Sequence, residues 1–290
     1  MRYGRVALGA TGDTRQLNPL SYRFATCKVL YEQIMPRLTL SDWTAEQFRC
    51  TAFILPGTTL PPAHWWAKLA DADPEEVTSN PRLGISQAIG RFGPGALVVS
   101  TQPGRIDWFL VPGRVETASI QGQAPPEPGV PSLGGAVETF NTFLDVSRKF
   151  LAFEDIPDVN RLALGGVFSH PEENRRTAYL RLPDYVPVAV NPDSTDFLYQ
   201  INLPTQSRLD ITGLLINRLS KWSVSMYRLI ALNLQGEVSP QGFGATIALR
   251  SEIDISTPQE FQGILPKGRL IDIVNELDES GRYLITNGVA

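Results

Sequence analysis

From Ile85 to Val111, short runs of β-branched and aromatic residues alternate with polar ones and are cut at Gly93-Pro94-Gly95 and at Pro103-Gly104. Proline pre-sets φ at a turn corner and glycine accepts the positive φ that other residues resist, so the pattern predicts three strands of a meander joined by two tight turns. Upstream, Phe24, Val29, Leu30, Ile34 and Met35 share a helical face between Tyr22 and Leu38 until Pro36 disrupts it, and residues 1–20 show no clear period. Phe48 to Leu55 reads as a strand ended by Pro56-Gly57. Pro61-Pro62 then opens a short helix carrying Trp65, Trp66 and Leu69, because a helix start tolerates a missing N–H. Beyond the meander, Pro112 to Pro131 includes Pro125, Pro126 and Pro128 and predicts an extended connection between two halves. Ser132 is an acceptable N-cap for a helix to about Phe153, along which Val137, Phe140, Leu144 and Leu151 recur at helical spacing.

The order of elements then repeats. Arg161 to Phe168 reads as a strand, Pro171-Glu172-Glu173 as a helix start with acids complementing the dipole, and Phe197 to Leu203 as a strand ending at Pro204. Residues 212–235 fit two periods at once: Leu214, Ile216, Trp222, Val224 and Met226 alternate, while Leu215, Leu219, Trp222, Met226 and Leu229 form a helical stripe. We read strands there, broken near Lys221 to Ser225. Phe243 to Ile255 is a further strand, and Pro266 to Asn287 a closing amphipathic helix with Gly288 as its C-cap. The expected class is α+β, with duplicated β-α-β(3-4)-α units forming curved antiparallel sheets and helices on one face. The expected organisation is an N-terminal arm and helix over residues 1–47, one half over 48–153 and a second half over 159–287. This order resembles the duplicated TATA-box-binding-protein-like, helix-grip topology, a likeness that carries no function with it.

Composition narrows the class of function. Of the 290 residues 42% are hydrophobic and 19% charged, enough to build a sizeable core, and no apolar run approaches membrane-spanning length. The formal charge of -4 argues against broad binding to nucleic acid, which depends on Lys and Arg displacing counterions from phosphates. Cys27 and Cys50 are too few for a disulfide framework, and Met1 to Ala10 lacks the apolar stretch of a signal peptide, so a cytoplasmic location is expected.

The segments Gln102-Pro103-Gly104-Arg105-Ile106-Asp107-Trp108, Gln200-Ile201-Asn202 and Ile216-Asn217-Arg218-Leu219-Ser220-Lys221-Trp222-Ser223 are the distinctive short motifs. With the proline-rich centre and the C-terminal helix, they resemble a sporadically distributed, uncharacterised family of bacterial cytoplasmic proteins over about residues 45–287. That resemblance implies fold and compartment. It brings no catalytic residues.

Alternation along the third meander strand sends Ile106 and Trp108 to one face and Arg105 and Asp107 to the other. The plain expectation is a core tryptophan with Arg105 and Asp107 solvated or paired on the open face. The sharper one is a binding site for a ligand or partner formed by Arg105, Asp107, Arg218 and Lys221, with arginine supplying a planar fork that grips a carboxylate or phosphate. His64 and His170 each fall near the short helix of their half, with no carboxylate or cysteine at metal-ligand spacing. No GxSxG elbow, P-loop, dinucleotide fingerprint or HExxH is present, and carboxylates such as Asp107, Glu154, Asp155 and Asp254 cannot be paired by sequence. The expectation is therefore a non-catalytic protein-interaction, accessory or regulatory subunit of immunity type. With it goes the expectation of no catalytic residues, metal or cofactor, of another protein as partner, and of no membrane or nucleic-acid partner. The alternatives are a small-molecule or nucleotide binder with a cationic site on the sheet face, and, behind it, a hydrolytic enzyme using His64 or His170.

Overall fold

The computed structural model describes residues 36–55, 61–113, 130–228, 245–261 and 263–289. Residues 1–37 and 38–290 are separate units, and every element below belongs to the second. The expected helix over Tyr22–Leu38 and the proline-rich connection fall almost wholly outside the described residues.

The first run of elements is β1 (Thr44–Ile54), α1 (Pro62–Ala70), β2 (Glu76–Asn80), β3 (Ile85–Phe92), β4 (Gly95–Gln102), β5 (Arg105–Pro112) and α2 (Ala136–Leu151). The second is β6 (Val159–Glu172), α3 (Arg175–Arg181), β7 (Leu198–Asn202), β8 (Thr205–Gln206), β9 (Leu215–Arg228), β10 (Ala245–Ser256) and α4 (Leu270–Asn287). All pairings are antiparallel, in the order β2-β3-β4-β5-β1-β6-β10-β9-β7, with β8 beside β9. The class is α+β. The opening strands of the two runs, β1 and β6, meet at the centre, and each is flanked by the closing strand of its own run, β5 or β10.

Alternation decides what each face of this sheet becomes. Phe48, Cys50 and Ala52 of β1, Ile106, Trp108 and Leu110 of β5, and Leu162, Leu164 and Phe168 of β6 are buried on one face, which the helices cover. Phe48 packs on Phe140 and Phe143 of α2 with centroids at 4.7 and 5.2 Å, and Trp108 stacks on Phe150 at 4.2 Å. On the other side of the seam Trp222 stacks on Tyr185 at 4.6 Å, with Trp43 edge-on to both. Gly288 closes α4 with φ 66°, and a Cβ there would lie 2.3 Å from the Tyr185 carbonyl oxygen, so both conformation and space call for glycine.

Four expectations need correction. The helix expected from Ser132 begins at Ala136, because Leu133 N–H and Ala136 N–H donate to Ala45 and Trp43 carbonyls, extending the sheet alongside β1 before the helix starts. Pro171-Glu172-Glu173 does not start a helix: β6 runs on through Glu172, and Asn174 caps α3 by accepting from Thr177 N–H. Pro171 lies past Ser169, where pairing with β1 ends and β10 alone flanks the strand, the kind of place where a sheet tolerates a residue without an N–H. No break interrupts β9 near Lys221 to Ser225, since β10 pairs with it residue for residue from Asn217 to Arg228. The polar edge strand β2 has no counterpart in the expected elements, because Glu-Val-Thr-Ser-Asn has no apolar alternation and all five residues are exposed.

Candidate functional site: the open face of the sheet

Among the described residues, no α-helix packs on the face opposite the core. Strand register sorts its side chains into rows. One row runs Arg49, Gly165, Asp254 and Leu219 across β1, β6, β10 and β9. The next runs Gln47, Val167, Glu252, Lys221 and Gln200. A third, toward the other end of the central strands, is Arg105, Phe53 and Arg161.

In the first row Arg49 reaches across β6 so that its Nη2 donates to Asp254 Oδ2 at 2.9 Å. The crossing passes over Gly165, where a Cβ would sit 3.7 Å from Arg49 Nη2 and 3.2 Å from the Ile253 carbonyl oxygen. A larger side chain would obstruct it. The pair links a strand of the first run to one of the second. Beside it, Arg250 is paired with Glu252, Lys221 Nζ lies 3.4 Å from Glu252 Oε2, and Tyr227 Oη donates to Glu46 Oε1 at 2.6 Å. Burial and the Glu46 carboxylate push the Tyr227 phenol above its ordinary range, whereas Glu252, which burial alone would raise, is held down by Arg250. Arg49, Asp254, Arg250, Glu252 and Lys221, with Gln47 and Gln200, border a depression of about 520 Å³.

The residues singled out in the sequence divide between two faces. Arg105 and Asp107 form one ion pair: Arg105 Nε lies 2.6 Å from Asp107 Oδ2, and its Nη2 donates to Oδ1 at 2.7 Å. Thr51 Oγ1 also donates to Oδ1, and the Asp107 side chain is only 2% exposed. The Arg105 fork is therefore committed to a buried carboxylate of its own strand. Lys221 shares the open face but lies four strand spacings, ~19 Å, across the sheet from β5. Arg218 is on the helix face, its guanidinium carbon 5.3 Å from the Tyr283 ring of α4. Arg218 and Lys221 are three positions apart on β9, an odd offset, so a continuous strand turns them to opposite faces. The three cations do not converge.

Each histidine has a carboxylate within reach in the fold. His64 Nε2 is 3.0 Å from Asp155 Oδ2, and Lys68 Nζ donates to both oxygens of Asp155 at 2.7 and 2.8 Å. Asp155 follows α2, and 91 residues separate it from His64, so only the fold brings them together. Chiefly the Lys68 ammonium, and then His64, hold the Asp155 carboxyl down to about 2. Because this value lies below that of an unfolded aspartate, the tie contributes above the ordinary carboxylate range and is lost as pH falls toward 2. Lys68→Ala should raise the Asp155 pKa, read from its carboxyl carbon by NMR titration, and an unchanged value would contradict this assignment. His170 Nδ1–H donates to the Asp42 carbonyl, 2.7 Å away, and its Nε2 is 3.7 Å from Glu172, which is ion-paired with the buried Arg181. Read as strand, His170 and Glu172 share a face in the sequence itself. Among the described residues no three His, Cys, Asp or Glu side chains are grouped to hold a metal ion, and no helix is long and apolar enough to cross a membrane.

The arrangement offers fixed charges and hydrogen-bonding groups on a broad sheet face, with no nucleophile hydrogen-bonded to either histidine among the described contacts. No protein-family model matches the chain, and no curated protein matches it.

Proposed function

We propose that the protein is a non-catalytic interaction subunit, accessory or regulatory in role and of immunity type, that receives another protein on the open face of its sheet. The observation that carries this reading is the row pattern. Part-exposed charged and polar side chains run in register across strands of both runs, on the face that no described helix covers. Large polar surfaces held rigidly in this way suit a protein partner, because the ordering cost is already met in the free state. The reading includes a cytoplasmic location, descent of the two runs from one duplicated unit, and kinship with the bacterial family that the short motifs resemble.

Val167 lies in the middle of the second row and is part-exposed. Val167→Arg should leave the circular dichroism spectrum unchanged and weaken capture of the native partner at least about tenfold, by placing a long, solvated side chain at the centre of the contact. Tyr283→Arg, at a 54% exposed site on the helix side, should not weaken it. Equal capture by wild type and Val167→Arg would remove the open face as the contact.

One observation favours a second reading. The depression bounded by Arg49, Lys221 and Arg250 has the volume of a small-ligand site, which suits a small anion or nucleotide. Saturable heat of binding with a nucleoside monophosphate, abolished by Lys221→Ala, would favour it over a protein partner.

A further inference from the structure

The Arg105, Phe53, Arg161 row contains the one cation on this face that has no carboxylate within ion-pair distance among the described residues. Phe53 is the register partner of Arg105 on β5 and of Arg161 on β6, and the two guanidinium carbons lie 5.7 and 4.7 Å from its ring centre. Arg105 is neutralised by Asp107. Arg161 is not: its Nε donates to the Thr257 carbonyl at 3.0 Å and its Nη2 to Ser256 Oγ at 3.2 Å, both uncharged acceptors. Arg49, Arg105, Lys221 and Arg250 on the same face each have a carboxylate within ion-pair distance, and Arg161 has none among the described residues.

A part-buried cation without a counter-ion loses hydration and gains no Coulomb energy in return. Here the guanidinium is also pinned by two hydrogen bonds and a ring, so little rotamer freedom remains to be lost when an anion arrives. The two bonds leave three of its five N–H donors. Such a fixed fork matches a carboxylate, which accepts two parallel N–H bonds. Leu55, two residues beyond Phe53 and 45% exposed, adds apolar surface near this end of the strand. That combination suits a side chain of a polypeptide, with an apolar neighbour beside its charge, better than a free inorganic anion.

Building on the reading that a protein occupies the open face, we propose that the partner's contacting segment is acidic and that one of its carboxylates seats on Arg161. The residue has the role of a specificity anchor. Phe53, the Thr257 carbonyl and Ser256 hold it in place, and Arg105, neutralised by Asp107, contributes no free charge.

The test uses the full chain with arginine side chains labelled for NMR, the Arg161 Nε–H signal being identified by its loss in Arg161→Lys. The probes are hexaglutamate, hexalysine and inorganic phosphate. Hexaglutamate should shift the Arg161 signal saturably, hexalysine should not, and Arg161→Gln should weaken hexaglutamate binding at least about tenfold, the loss expected for a charge-assisted hydrogen bond. Arg161→Lys keeps the charge without the fork and should bind with intermediate affinity. Absence of a shift, unchanged affinity in Arg161→Gln, or phosphate saturating the signal as readily as hexaglutamate would overturn the acidic-segment assignment. Partner capture separates this inference from the reading beneath it. Loss of the native partner in Val167→Arg with full retention in folded Arg161→Gln removes the acidic seat and leaves the open face standing. Retention in both removes the face and the seat together.

Discussion

Replacing Trp108 by alanine should cost about 3–5 kcal/mol of folding stability, a large share of the whole for a domain of ordinary stability. Trp108 has no exposed surface, stacks on Phe150 at 4.2 Å, and donates from Nε1 to Ser147 Oγ at 3.0 Å. Truncation removes the buried ring, opens a cavity between β5 and α2, and takes from Ser147 the indole N–H it accepts. Trp108→Phe should recover most of the packing and lose the indole hydrogen bond, so its cost should be well below that of alanine. Urea unfolding monitored by circular dichroism gives both values. A loss under ~1 kcal/mol for Trp108→Ala would mean that the site collapses without a cavity, against the burial described.

The second large effect is expected at Arg105, through Asp107. Arg105→Ala leaves a carboxylate that is 2% exposed with the Thr51 hydroxyl and Gln102 as its side-chain partners and no counter-ion, and breaking a buried pair from one side costs about 3–5 kcal/mol. Arg105 is itself 32% exposed, so solvent screens part of the pair, and the lower end of that range is expected. Removing both charges with Arg105→Leu and Asp107→Leu should cost much less than Arg105→Ala alone, because no buried ion is left unpaired. Arg105→Lys should fall between, since an ammonium cannot match Nε and Nη2 to the two carboxylate oxygens. A double variant as unstable as the single one would show that Arg105 acts through packing on Phe53 instead. Either result bears on function: a residue whose fork is committed to its own strand is a poor anchor for a partner.

These two residues also show how far the sequence could be read. Alternation placed Trp108 in the core and Arg105 on the opposite face because period two is a local property of a strand, and β5 runs straight through both. The meander turns, the short helix after Pro61 and the amphipathic C-terminal helix were legible for the same reason. What failed was information held by neighbouring strands. Pro171 reads as a helix start until one sees that β1 ends opposite Ser169 and leaves β10 alone beside it. Strand β2 carries no pattern because it lies at the edge with every side chain exposed. The grouping of Arg105, Arg218 and Lys221 required two things that composition does not hold: which strands lie between β5 and β9, and whether β9 breaks. His64 and Asp155 were visible only singly, as were Arg49 and Asp254. Arg161 is legible in the sequence only as the start of a strand, since its distinction is the lack of a carboxylate that each neighbouring cation has.

The central claim is that the open face, and not the helix side, is where the partner sits. Site-specific photo-cross-linking tests it most directly, with benzoylphenylalanine placed at Val167 on the open face or at Tyr283 on α4, in cells of the organism of origin. The account expects a single cross-linked partner band from position 167 and none from position 283. A partner captured from position 283 and absent from position 167 would contradict it.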